Sequence, residues 1–346
     1  MDDIIDIRKK INRHFSQARE DGKLDYCYYC GKQKPSFCLS HSVPKFCLKP
    51  ISSGKELLTL NAFLNLPFAD FDEGASEAGT FKIICRECDS KIFREYENPN
   101  NYGSEPTDQM LAQIAMKNYL QLISKRNIEI ASLMIAQAEL GADPNSVIYQ
   151  NQIKNLDLRD FENGFQRAKL GSVKDRGGWY YSCFYKKLNY QIPLAFQSAI
   201  TMINDMRGNI INDIFCMKPT YQTAQIHLAA FPFQDESIIL AFIDSRDSPR
   251  YRPFYKQLSR LSAPDQLAVI NFIIFGYSEN LFISKSIDAS ILENEELISV
   301  CKQGIFSPGP TVGDDMLSVA VQDYDWSKIA SIPNLLSEDY CLKSNT

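Results

Sequence analysis

Six residues between positions 27 and 89 have the types and spacing for metal and acid–base chemistry. Cys27 and Cys30 form one C-x-x-C pair, followed at once by Gly31, and Cys85 and Cys88 form a second. Four thiolates complete a tetrahedral zinc shell with no position left open, so a zinc held by these four would be structural. Between the pairs stands His41, within Ser40-His41-Ser42-Val43-Pro44-Lys45, and Asp89 follows directly on Cys88. An imidazole exchanges a proton near neutral pH, and a carboxylate suits a hard divalent cation. The spacing also admits a second ligand set, Cys27, Cys30, Cys38 and His41, as C-x2-C-x7-C-x2-H. That set would leave Cys85 and Cys88 to another partner such as Cys47. Asp89 equally suits the first turn of a helix, where the dipole favours an acid.

The elements that would position these residues can be read from local pattern. Residues 26–31 predict a knuckle, a tight turn whose amides face the sulfurs. Residues 37–43 alternate as a strand with His41 near its end, and Pro44 disfavours helix at Val43. Residues 46–80 read as an insertion, 79–84 as a short strand, and the run from Cys85 onward as a helix carrying the second pair. Ahead of the knuckle, Ile4, Ile7, Ile11 and Phe15 recur at helical spacing. The chain there predicts an amphipathic helix with a basic face, ended by Asp21-Gly22, that packs on the zinc module or, in the competing reading, binds nucleic acid, with His14 on its exposed part.

This arrangement resembles the HNH endonucleases with four zinc cysteines, of the treble-clef group. The matching residues are Cys27, Cys30, His41, Pro44, Cys85 and Cys88, and the resemblance covers roughly residues 24–97. It implies a structural Zn2+ on Cys27, Cys30, Cys85 and Cys88 and a catalytic Mg2+ or Mn2+. It further implies His41 as general base for phosphodiester hydrolysis, Asp89 as a ligand of the catalytic metal, and DNA as substrate, in the setting of defence against foreign DNA. Lys45 and Lys49 would hold the phosphate backbone. Two positions depart from the family pattern. Ser40 stands where an acid or histidine commonly binds the catalytic metal, and Phe93 where a histidine or asparagine does. Glu87, Glu95 or an acid from the rest of the chain would then complete the site. The competing reading is a zinc-stabilised module that has lost the catalytic metal and binds nucleic acid or a partner protein.

The remaining chain predicts an α+β fold, with the zinc module followed by a helical pair and a mainly antiparallel sheet. Thr107-Asp108 caps a long helix running to Leu140, where Gly141 and Pro144 stop it. A second helix covers 156–170, ended by Gly171. Strands are expected at 180–185, 191–202, 209–217, 225–233 and 237–243, the last two joined by a hairpin at 234–236. His227 would face solvent or a satisfied partner. A basic and aromatic cluster, Arg246, Arg250, Arg252 and Lys256 among Tyr251, Phe254 and Tyr255, reads as a surface loop and helix start or a stacking surface for nucleic acid. Ser262-Ala263-Pro264-Asp265 starts an apolar helix to about Phe275.

With 346 residues, the chain divides by pattern into an N-terminal helix (1–22), the zinc module (23–100) and an α+β region (107–346), which could dock a protein partner. The turn-forming run 98–106 separates the last two. A net charge of −5 excludes a uniformly basic nucleic-acid binder, but five lysines and no acid fall between residues 31 and 55. Residues 70–77 are acidic by contrast, and 314–325 carry four aspartates. Met1 is followed by two aspartates and not by a basic run, so a cytoplasmic chain with reduced thiols is expected. The most apolar run, 267–275, is interrupted by Asn271 and far short of a membrane span.

Overall fold

The computed structural model describes residues 2–54, 56–60, 73–74, 79–173, 177–278, 280–305 and 316–342. The acidic stretch 70–77 lies outside these except for residues 73 and 74. The fold is α+β, as expected. In chain order, α1 (Asp2–Asp21) precedes β1 (Ser40–His41), α2 (Lys45–Ile51), β2 (Glu56–Thr59), β3 (Glu73–Gly74), β4 (Thr80–Phe81) and α3 (Arg86–Ile92). The long pair follows as α4 (Asp108–Leu140) and α5 (Pro144–Val173). Next come β5 (Tyr180–Leu188), β6 (Leu194–Ile200), β7 (Ile226–Pro232) and β8 (Ser237–Asp244). The chain continues through α6 (Ser248–Leu258), α7 (Ala263–Tyr277), β9 (Leu281–Ser284), α8 (Ala289–Leu292), α9 (Glu295–Ile305) and α10 (Met316–Asp323).

An antiparallel sheet in the order β3-β2-β9-β6-β7-β8-β5 forms the centre. Every residue of β6, β7 and β8 is buried. Alternate residues serve two cores. Leu228, Ala230, Ile239 and Ala241 face one that includes α6, α7 and Trp326. Ala229, Phe231, Leu240 and Phe242 face another that includes α4, α5 and the cysteine-rich region. Strands covered on both sides read as continuous apolar runs, which is why their sequence lacks clean alternation. The zinc region joins this sheet directly, because β2 pairs with β9 and α2 packs over β6, β7 and β9.

Several expectations are corrected. Among the described residues, helix α1 packs chiefly on α4, where packing on the zinc module was expected. A Cβ at Gly22 would come 2.9 Å from the Ile128 Cα, so the glycine permits the close approach. His14 is half-buried, with Nε2 2.7 Å from Ser132 Oγ. Helix α5 starts at Pro144, which initiates it where it was expected to act as a stop. It also runs through Gly171, where a Cβ would meet the Ala112 Cβ at 3.1 Å. Gly171 thus serves helix packing and not termination. Residues 209–217 form no strand beyond a single bridge between Asn204 and Ile210. The Ile211 and Asn212 N–H groups go to the Ile203 carbonyl, that of Asn209 to Asp205 Oδ1 at 3.0 Å and that of Asp213 to the Tyr221 hydroxyl at 2.8 Å. The Asn212 amide donates to the Met202 and Ala224 carbonyls and accepts from the Ala224 N–H, all within 3.0 Å, the competition with ladder pairing that asparagine offers.

His227 is fully buried on β7. Its Nδ1 lies 3.2 Å from Asn118 Nδ2, its ring stacks on Phe242 at 4.8 Å, and Tyr119 and Tyr180 approach edge-on. Asn118 Oδ1 accepts from Gln197, which leaves its amide to donate to the imidazole and puts the ring proton on Nε2. Burial pushes the His227 pKa down to about 3.

Two outcomes follow from this packing. The unfolded chain protonates His227 near pH 6.5 while the folded chain keeps it neutral. Its contribution is therefore complete above about pH 6.5 and falls as pH drops toward 3, by about 1.4 kcal/mol per pH unit. Urea unfolding between pH 7 and 5 should show a steeper acid loss for the wild type than for His227→Gln. In α5, a Cβ at Gly164 would sit 2.2 Å from Tyr119 Cζ. Gly164→Ala should cost about 1–3 kcal/mol in the same assay by forcing α4 and α5 apart.

Candidate metal centre and adjoining cleft

The thiol sulfurs of Cys27, Cys30, Cys85 and Cys88 all lie within 4.8 Å of one another, and among the described residues they form the only such group of metal-binding side chains. Tetrahedral zinc with sulfurs at about 2.3 Å sets sulfur separations of about 3.8 Å, so this donor set fits zinc with small side-chain adjustment. The knuckle forms because Gly31 adopts φ 68°, which lets its N–H reach the Cys27 carbonyl at 2.7 Å. A residue with a Cβ is strained there. The Cys85 N–H donates to Cys27 Sγ at 3.3 Å, the kind of amide contact that stabilises thiolate charge. Cys85 caps α3, whose first turn presents Cys88. From the far side, Lys169 of α5 donates to the Tyr29 carbonyl at 2.6 Å and lies 4.3 Å from the centre of its ring. The alternative ligand set is not gathered. Cys38 donates to the Ile84 carbonyl at 3.2 Å, with burial pushing its thiol up to about 12, and Cys47 is fully buried.

Beside this centre, His41, Lys45, Lys49, Asp89 and Glu97 line one open cleft with Leu39, Pro44 and Phe46. The short ladder of β1 with β4, pairing Ser40 with Phe81 and His41 with Thr80, fixes the His41 backbone. Pro44 precedes α2, so Lys45 and Lys49 fall one turn apart on it. Sequence analysis missed Glu97. The acids named in its place are engaged elsewhere, Glu87 with Lys34 at 3.1 Å and Glu95 with Arg94 and Asn101.

The other residue missed is Lys117, from α4. It is fully buried, and its ammonium lies 2.8 Å from Ser40 Oγ, 3.0 Å from Asp89 Oδ1 and 3.0 Å from Glu97 Oε1. The centre of the Phe93 ring lies 3.7 Å from the same nitrogen. Ser40 Oγ in turn donates to Asp89 Oδ1 at 2.6 Å. Three N–H donors thus meet three oxygens, and an aromatic face covers the rest of the charge. The signal in the sequence was a lone charge in a segment otherwise suited to burial on all sides. Residues 110–120 are indeed all buried. A second divalent metal on Asp89 does not fit this arrangement, because the carboxylates it would use already enclose a cation.

The basic and aromatic cluster is used internally in part. Arg246 pairs with Asp244 at 2.7 Å, Arg250 donates to the Gln222 carbonyl at 2.8 Å, and Tyr251 and Phe254 are buried. No helix among the described residues is long and apolar enough to cross a membrane. Comparison of the chain with protein-family models, curated proteins and solved structures returns no match.

Zinc analysis of the purified protein should give one zinc per chain. Cys85→Ser and Cys88→Ser should lose it, and Cys38→Ser should retain it.

Proposed function

We propose that the cleft beside the zinc centre engages the phosphodiester backbone of nucleic acid, with DNA the substrate favoured by the resemblance to HNH endonucleases. His41 would act there as general base. One observation carries this reading: His41 shares a single cleft with Lys45, Lys49 and Asp89. An imidazole lining such a cleft can take a proton from an attacking water. The Lys45 and Lys49 ammonium groups attract the phosphate and oppose the charge that develops on its oxygens. The four-cysteine zinc supplies no chemistry in this scheme. It fixes the knuckle and α3, and so the wall of the cleft that carries Asp89.

A second reading, binding without hydrolysis, is favoured by the engagement of Asp89 and Glu97 with Lys117. Both readings put nucleic acid in the same cleft, and one set of assays separates them. Zinc-loaded protein is incubated with supercoiled plasmid and with single-stranded DNA. Hydrolysis requires that wild type cleave and that His41→Ala lower the rate by about 10²–10⁴-fold. Absence of cleavage by folded, zinc-loaded wild type would eliminate the nuclease and leave the binding module. In either case Lys45→Glu with Lys49→Glu should weaken DNA binding and flatten its salt dependence, by roughly 0.9 in log–log slope for each duplex phosphate no longer neutralised. Unchanged binding in that variant would remove nucleic acid from the cleft altogether.

A further inference from the structure

The two departures from the HNH pattern, Ser40 and Phe93, belong to one arrangement. A serine hydroxyl is a poor ligand for Mg2+, and a phenyl ring is none at all. Yet both contact the same atom, Lys117 Nζ, the hydroxyl at 2.8 Å and the ring centre at 3.7 Å. Asp89 and Glu97 complete the shell at 3.0 Å each. The contact distances are those of ammonium hydrogen bonds, and the number of oxygens matches its three N–H groups. Mg2+ demands near-octahedral oxygen ligation at about 2.1 Å. The shell is built for an ammonium.

We propose that Lys117 is the resident cation of this site. Its ammonium permanently holds the place that the resemblance gives to a catalytic divalent metal, so the cleft works without one. Phe93 and Ser40 are then the complement of Lys117, selected to seat an ammonium where carboxylate or imidazole would seat a metal. The ammonium is shielded from solvent by its own shell, so it acts as a positioning residue. It holds Asp89 of α3 and Ser40 of β1 in fixed relation and places its positive charge against both. This goes beyond the proposed hydrolysis and does not require it, because occupancy of the site is read by metal binding alone.

Mn2+ is the probe. Zinc-loaded protein is titrated with Mn2+ while the free ion is followed by electron paramagnetic resonance. Wild type should bind no Mn2+ that depends on Asp89. Lys117→Met vacates the ammonium and leaves two carboxylates facing a gap. It should gain one Mn2+ site per chain, at least tenfold tighter than anything in wild type, and lose it again when Asp89→Asn is added. Should Lys117→Met fold only in the presence of Mn2+, that rescue supports the proposal equally. Lys117→Gln, which keeps a polar side chain in the gap, serves as the second variant. The proposal is overturned if wild type binds Mn2+ and Asp89→Asn abolishes that binding, since the metal then displaces the lysine. It is also overturned if Lys117→Met or Lys117→Gln keeps its zinc and circular dichroism spectrum yet binds no Mn2+. The wild-type titration can overturn the proposal even if both variants prove unstable.

Discussion

An ammonium group removed from water must find acceptors for all its protons, and this constraint ties together the parts of the molecule around the cleft. Lys117 finds them on three separate segments: Ser40 on β1, Asp89 on α3 and Glu97 in the turn that follows. None of these could shift without leaving a buried charge undersatisfied, a loss that the folded state tolerates poorly. On the other side of the same region, Cys85 and Cys88 of the segment that carries Asp89 belong to the four-cysteine cluster that could hold a metal. The wall of the cleft therefore lies between two unlike devices, a cluster of four thiols able to hold a metal and a set of oxygens around an ammonium.

Helix α4 carries this constraint across the molecule. Successive helix residues point about 100° apart. Lys117 thus reaches the zinc region while its neighbour Asn118 reaches the sheet, where it meets Gln197 at 2.8 Å and His227 at 3.2 Å. A second polar path runs alongside. Ser42, next to His41, donates to Asn280 at 2.8 Å, and Asn280 donates to the Gln197 carbonyl at 2.5 Å. Polar groups that bridge two cores in this way define one relative placement of helix and sheet, because each donor has one acceptor within reach.

Much of this was legible in the sequence where a local rule acts alone. The two C-x-x-C pairs mark a cluster that the fold assembles. Thr107 caps α4, its hydroxyl accepting from the Met110 N–H at 3.3 Å, and Ser262 caps α7 in the same manner. The hairpin between β7 and β8 falls at its turn residues. What could not be read depends on distant partners. Gly171 resembles a helix terminator until Ala112 and Trp179 are known to lie against it. Lys117 has no pattern of its own, because its acceptors lie 20 to 77 residues away in the chain. Residues 209–217 have the composition of a strand, but Asn212 and Asp205 supply alternative hydrogen bonds that propensity does not count.

The pairing of β2 with β9 has a consequence for how the protein is made. Leu57 lies opposite Ser284 and Thr59 opposite Phe282, so an edge laid down early waits for a strand laid down late. At translation rates of about 5–20 residues per second, that wait lasts on the order of ten seconds or more. During it the four cysteines are already synthesised, while the strand that completes their surroundings is not. Zinc captured on the nascent chain would protect those thiols from oxidation and hold β2 near its final course.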